Sequence, residues 1–192
     1  MSELDLKFRF SPHQTSAAAL ERWFLWLHNK QDSGKGGQAE RATLRRAQAP
    51  EELILSPGLR SLIHSQGIPP CAAHDADTLV AVAMIAGALA HCKQHNDKAS
   101  FAAQLATPAE TGGKAPMSEA RFSRLQKSRD HDEFYRNLVR AIALIKGEAN
   151  IISLADSILH WCQEYRYGVN RQPIKRLAVS WAQDYYAALP AN

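Results

Sequence analysis

Three arginines in residues 36–47 have a spacing that suits anion binding. If this segment is helical, Arg41 and Arg45 stand four apart on one face and Arg46 lies about a hundred degrees round the helix. Like charges this close cost about 0.2–0.5 kcal/mol per pair, so a helix that carries them is expected to meet an anionic partner. The alternative is a solvated basic face whose arginines pair with glutamates of other helices.

A second group of basic residues follows residue 120. Spacing of three places Arg121, Arg124 and Lys127 along one side of a helix, while Phe122 and Leu125 turn inward. Arg129 flanks this row.

The next predicted helix continues this basic surface. Arg136 and Arg140 stand four apart, opposite an apolar stripe that begins at Phe134. Two neighbouring cationic rows could follow a nucleic acid backbone without reading bases, because phosphates carry no sequence information. Solvation with pairing, for instance between Asp132 and Arg136, is the competing explanation.

Histidine and cysteine offer a weaker candidate site. Cys71 and His74 are three apart and His91 and His95 four apart, which are the residue types that bind zinc, and a zinc-dependent hydrolase is therefore one hypothesis. The spacing matches no zinc finger, and two histidines near a helix C-terminus also interact favourably with the helix dipole. We therefore predict no metal.

Motifs for other chemistry are not present in the sequence. The glycine-rich residues 34–37 lack the GxxxxGK[ST] spacing of a nucleotide-binding loop, and no G-x-S-x-G or H-E-x-x-H motif occurs. The sequence thus predicts a protein with no catalytic residues and no cofactor.

Composition agrees with a folded phosphate-binding protein. The chain has 192 residues, 45% of them hydrophobic, and a net charge of +4. Lysine and arginine balance aspartate and glutamate at 11 each in residues 1–110, but outnumber them 12 to 8 in residues 111–192. Three widely spaced cysteines and the lack of a signal segment favour the reducing cytoplasm, and no apolar stretch is long enough for a membrane span.

Helical periodicity recurs along the whole chain, and strand-like alternation does not. We predict an all-α fold, a two-lobed helical bundle of eight or nine helices with no sheet. The predicted helices cover residues 14–29, 38–47, a segment after Pro57, 76–95, 100–105, 118–128, 132–146, 153–165 and 173–189. The helix at 76–95 is apolar nearly all round and should lie at the centre.

Helix-breaking residues mark the expected boundaries. Residues 106–117 contain two prolines and two glycines, which predicts a loop. We expect a single domain over 1–192 whose lobes, 1–107 and 116–192, are joined by residues 108–115. Ser153 with Asp156 resembles a capping box, and Pro173 suits a first helical turn.

The order of these motifs resembles the CasB family, the small subunit of the type I-E CRISPR surveillance complex, Cascade. The motifs that carry the resemblance are L-R-R-A at 44–47, R-F-x-R-L at 121–125, the segments 130–134, 138–146 and 156–161, and W-A-x-D-Y-Y at 181–186. The likeness extends over most of the chain.

This resemblance implies an all-helical protein that holds the R-loop of an RNA-guided complex and leaves sequence reading to base pairing. The partners it implies are the backbone and large subunits of Cascade, a second copy of the chain, the CRISPR RNA, and the target and displaced DNA strands. The residues expected to bind nucleic acid are Arg45, Arg46, Arg121, Arg124, Lys127, Arg129, Arg136 and Arg140. The alternative is a helical adaptor whose arginines serve acidic surfaces of protein partners without contacting nucleic acid.

Overall fold

A computed structural model describes residues 9–11, 13–29, 36–69, 72, 75–110 and 113–190. Within these ranges the chain forms ten α-helices, one 3-10 turn and two very short strands. The helices are α1 (Gln14–Leu27), α2 (Gln38–Arg46), α3 (Pro50–Ile54), α4 (Pro57–Ile63), α5 (Ala76–His91), α6 (Phe101–Ala106), α7 (Glu119–Gln126), α8 (His131–Leu144), α9 (Ile151–Tyr167) and α10 (Leu177–Ala187). The predicted all-α class is confirmed.

Helix α5 lies at the centre, as its continuous apolar surface predicted. Residues 81–90 are all buried, and α5 packs against α1, α2, α3, α4, α8 and α9. A helix surrounded in this way has no solvent-facing side, which explains why its sequence has no polar stripe. Its N-terminus is capped by Asp75, whose side chain accepts a hydrogen bond from the Thr78 amide.

The prediction that this helix continues to residue 95 is wrong. The helix ends at His91, and Cys92 adopts an extended backbone with ψ of 149°. The chain then forms β1 (Gln94–His95), which pairs in parallel with β2 (Glu148–Ala149). The prediction of no sheet thus needs a small correction, since these two-residue strands form a minimal pairing that sequence alternation could not indicate.

Helix α3 is also missing from the sequence prediction, which is why the observed helices outnumber the eight or nine expected. Pro50 occupies the first turn of α3, where its missing N–H costs nothing. In the sequence, Pro50 indicates that the preceding helix ends before it, and nothing indicates that a new helix begins there. At five residues, α3 is too short to show helical periodicity.

Capping at the start of α9 differs from the prediction. The N-cap is Asn150, whose side chain accepts from the Ser153 amide. Ser153 Oγ instead accepts from the Phe101 amide at 3.0 Å. Asp156 accepts the Phe10 amide at 2.6 Å and the Ser11 amide at 3.0 Å, so it holds the N-terminal segment. The predicted capping box is therefore wrong, because both of its side chains bind distant backbone.

The last predicted helix is divided in two. Pro173 begins a 3-10 turn that ends at Lys175, and α10 starts only at Leu177. The break lies at Arg176, whose ψ of 139° is extended. Pro173 does occupy a first turn, as predicted, but the turn is not part of the α-helix.

The buried side chains form one hydrophobic cluster that extends from Phe10 to Tyr185. It includes residues from both predicted lobes, and α5 packs against α9 across them. The division into lobes at 108–115 stays a prediction, and residues 111 and 112 lie outside the described part of the chain. Among the helices described, none is both long and apolar enough to cross a bilayer.

Candidate nucleic-acid interface

Helix α2 separates its three arginines into two roles. Arg41 is half-buried and reaches the C-terminal end of α5, where its Nε donates to the Ala90 carbonyl at 3.1 Å and its Nη2 to the Cys92 carbonyl at 3.4 Å. Burial lowers the pKa of Arg41, and the neighbouring charge of Arg45 lowers it further. Arg41 thus satisfies carbonyls that a helix end leaves without partners, which is a structural role.

The other two arginines of α2 are exposed. Arg46 donates from Nε to the Ala42 carbonyl of its own helix at 3.1 Å. Arg45 lies close enough to His91 to influence its ionisation. Burial lowers the pKa of His91 most, and Arg45 and then Arg41 lower it further. Arg41 and Arg45 of α2 and His91 at the end of α5 thus lie close enough together for their charges to interact.

Helix α7 orients its cations by burying its apolar side. Phe122 and Leu125 are each 1% exposed, and the Phe122 ring stacks on Tyr185 with centroids 4.0 Å apart. Arg121 and Arg124 therefore project into solvent, and Lys127 follows as the exposed C-cap residue. The inward and outward sides of this helix are those that the spacing of three predicted.

The link from α7 to α8 is held by reciprocal capping. Asp130 Oδ1 accepts from the Glu133 amide at 2.7 Å, and Glu133 Oε2 accepts from the Arg129 amide at 2.9 Å. Each carboxylate thereby satisfies a backbone donor near the helix N-terminus. The Glu133 carboxylate is engaged by the backbone of Arg129, and the Arg129 side chain remains exposed.

Helix α8 continues the same pattern. Phe134 and Leu138 are fully buried, whereas Arg136 and Arg140 are exposed. The pairing of Asp132 with Arg136, which was the competing explanation, is not found at salt-bridge distance. Within the described ranges, none of the eight predicted cations forms a salt bridge with a carboxylate.

The structure places the eight cations in two groups. Six belong to α7, α8 and the turn between them, and these two helices pack on each other. Arg45 and Arg46 belong to α2, which packs on α1, α4 and α5. That all eight line one continuous path stays a prediction.

The histidine pair is not arranged on one helix, as the zinc hypothesis supposed. Because α5 ends at His91, His95 is not on its helical face. His95 Nδ1 accepts from the Ile151 amide at 3.3 Å, and its Nε2 lies 3.7 Å from a Glu21 carboxylate oxygen. Cys71 and His74 lie outside the described residues. No group of three potential metal ligands occurs in the part of the chain that the structure describes.

The sequence prediction passed over a further basic surface at residues 165–176. It contains Arg166, Arg171, Lys175 and Arg176 with no carboxylate, interleaved with Tyr165 and Tyr167. Tyr165 and Tyr167 are each about half exposed, and Arg166 forms a salt bridge with Asp77 at 3.1 Å. Alternation of aromatic and basic residues is the signal that could have identified this segment.

Taken together, the fold and the exposed cations define a class: a small, all-helical protein with solvent-facing basic helices. The family model described as CRISPR-associated protein Cse2 matches residues 40–186. The chain therefore belongs to the Cse2 family, whose members are the structural small subunits of type I-E Cascade, and the predicted likeness to the CasB family is confirmed. The comparisons with curated proteins and with solved structures gave no match.

Proposed function

We propose that the chain binds nucleic acid phosphates without sequence preference and stabilises the R-loop in Cascade. The observation that carries the proposal is the surface of α7 and α8, where exposed cations form no salt bridge with any described carboxylate. Cations left without an internal partner are available to neutralise phosphates and to release the counterions condensed on them.

The buried aromatic residues support sequence-independent binding. Trp161 and Trp181 are 8% and 3% exposed, and the Trp181 Nε1 donates to Ser157 Oγ at 3.0 Å. These indoles pack the core and do not present an edge to bases. Contacts from guanidinium and ammonium groups to phosphates position a nucleic acid but do not specify its sequence.

Membership of the Cse2 family supports the proposal that this binding takes place within Cascade. The proposed partners are the backbone and large subunits, a second copy of the chain, the CRISPR RNA, and the target and displaced strands. Base pairing would read the sequence and this subunit would supply charge, as in other RNA-guided effectors. The role proposed is non-catalytic, without cofactor or metal, in antiviral defence in the cytoplasm.

The test compares two triple variants of equal charge. The first variant replaces Arg121, Arg124 and Lys127 with alanine. The control variant replaces three exposed cations outside the predicted set with alanine: Arg60, Lys98 and Lys114. We expect the first variant to retard a single strand more weakly than the control variant at low salt while still joining Cascade. Loss of assembly in this variant, together with no strand retardation by the wild-type chain even at low salt, would instead support the adaptor function.

A further inference from the structure

A cleft of about 230 Å³ lies directly beside the cationic row of α7. The residues that line it include Gln126 and Ser128 at the end of α7, and Tyr165 and Val169 further along the chain. Gln126 Nε2 donates to the Ala178 carbonyl at 2.9 Å, which joins the end of α7 to α10 at the cleft. The volume is below the roughly 300–1,000 Å³ of pockets for drug-sized ligands, so the cleft suits a single ring system.

Three aromatic residues, Trp161, Tyr165 and Trp181, line the cleft. The Tyr165 ring is nearly parallel to Trp161, at 12° and with centroids 5.2 Å apart, and Trp161 stacks on Phe134 at 4.1 Å. His131 contacts Tyr165 edge-on at 4.5 Å. Two aromatic partners therefore hold the Tyr165 ring in place, although 49% of this residue is exposed. An immobilised ring that is half exposed is ready to stack on another planar group.

The charges around the cleft favour a polyanion. Lys127 and Arg129 alternate with Gln126 and Ser128, which line the cleft, and exposed Arg171 and Lys175 follow Val169 along the chain. The cleft has one carboxylate, Glu164, and its Oε1 accepts from the Leu177 amide at 3.0 Å and lies 3.3 Å from His160 Nε2.

We infer that this cleft receives a base of the single strand whose phosphates lie on α7, with the base stacked on Tyr165. This inference rests on the proposed function and adds a base contact to it. Two polar groups at the cleft are bonded within the protein: Gln126 Nε2 donates to the Ala178 carbonyl, and the Ser128 hydroxyl donates to the Leu125 carbonyl and accepts from Asn137. Stacking on Tyr165 would accept any base, since every base has a face that stacks on an aromatic ring.

The experiment uses the full chain at low salt and two strands with the same number of phosphates, one normal and one abasic. Trp161 and Trp181 line the cleft, so their fluorescence reports on its occupant. We expect both strands to be retarded in a gel, but only the normal strand to quench fluorescence and to bind more tightly. This comparison requires no substitution.

Substitutions at Tyr165 test whether this residue makes the base contact. Tyr165→Leu is expected to weaken binding of the normal strand by roughly 5- to 100-fold and to leave abasic binding unchanged, whereas Tyr165→Phe should keep the wild-type affinity. Tyr186→Leu is the control, since Tyr186 is an exposed tyrosine outside the cleft. Equal binding of both strands without differential quenching would overturn the base contact and leave the proposed function standing. A chain that retards neither strand would overturn the proposed function as well.

Discussion

The Arg41 guanidinium donates from Nε to the Ala90 carbonyl, 3.1 Å away, at the C-terminal end of the central helix. Arg41 and Arg45 are four residues apart on α2, yet only Arg41 is directed against the protein, and Arg45 is exposed. One short basic helix therefore contains both a stabilising residue and a candidate phosphate contact.

Arg41→Ala is expected to lower the free energy of unfolding by about 1–3 kcal/mol, because it leaves helix-end carbonyls without their charged donor. Arg45→Ala is the matched control and should change stability by less than about 0.5 kcal/mol, as exposed substitutions do. Urea denaturation of both variants measures the difference. Equal losses would show that the contact of Arg41 with α5 does not contribute to stability.

Much of the fold could be predicted because the distribution of apolar residues within each helix indicates which sides are buried. The inward positions of Phe122 and Leu125 follow from periodicity within α7, whereas the central place of α5 follows from apolar residues on all of its sides. The end of α5 at His91 could not be predicted, since it depends on Arg41 and on pairing with β2, both distant in sequence.

The same limit applies to the candidate site. Spacing within α7 and α8 indicated which cations are exposed, and the structure agrees. The cleft beside Gln126 depends on residues 165–178, some forty residues further along the chain, which no local pattern links to α7. The role of Asp156 was missed for the same reason, since its partner backbone is 146 residues away.

Gly87 is needed where α5 passes close to α3 and α8. A β-carbon at this position would lie 2.5 Å from the Tyr135 hydroxyl oxygen and 2.7 Å from Leu53 Cδ2. Gly87→Ala should therefore destabilise the fold by about 1–3 kcal/mol through overpacking, as measured by chemical denaturation.

A substitution at Tyr135 tests whether its hydroxyl oxygen clashes with a β-carbon at position 87. The hydroxyl is buried and has no hydrogen-bond partner among the described residues, so Tyr135→Phe should cost little or be stabilising. When the two substitutions are combined, Tyr135→Phe should recover part of the stability that Gly87→Ala removes, because the clashing oxygen is then absent. Additive effects would show that the clash arises from Leu53 alone.

Asp156→Ala should release the segment around Phe10, because the carboxylate accepts both the Phe10 and the Ser11 amides. We expect a loss of about 1–3 kcal/mol, since hydrogen bonds to a charged group are lost and Phe10 is fully buried. Limited proteolysis should cut before Gln14 faster than in the wild type. Asp184→Ala is a useful comparison, because Asp184 accepts from the hydroxyl of Ser100, the N-cap residue of α6, and forms no hydrogen bond with the described residues of the N-terminal segment. Unchanged cleavage would contradict the anchoring role.

His91 reports on the charge of α2. Its pKa is lowered in the folded protein, so the unfolded chain takes up a proton more readily, and His91 reduces stability as the pH falls below about 6.5. Arg45→Gln should raise the pKa of His91 in an NMR titration, whereas Arg46→Gln should leave it unchanged. Binding of a strand to α2 should raise it as well, because phosphates offset the charge of Arg45. If neither Arg45→Gln nor strand binding changed the pKa of His91, Arg45 would not be a phosphate contact.

The dependence of single-strand affinity on salt tests phosphate binding most directly. Each phosphate neutralised on a single strand contributes about 0.7 to the slope of log affinity against log salt, so alanine at Arg121, Arg124 and Lys127 should make the slope shallower by about 2. The control variant at Arg60, Lys98 and Lys114 should keep the wild-type slope. A wild-type slope in the first variant would contradict the account, because those three side chains would then contact no phosphate.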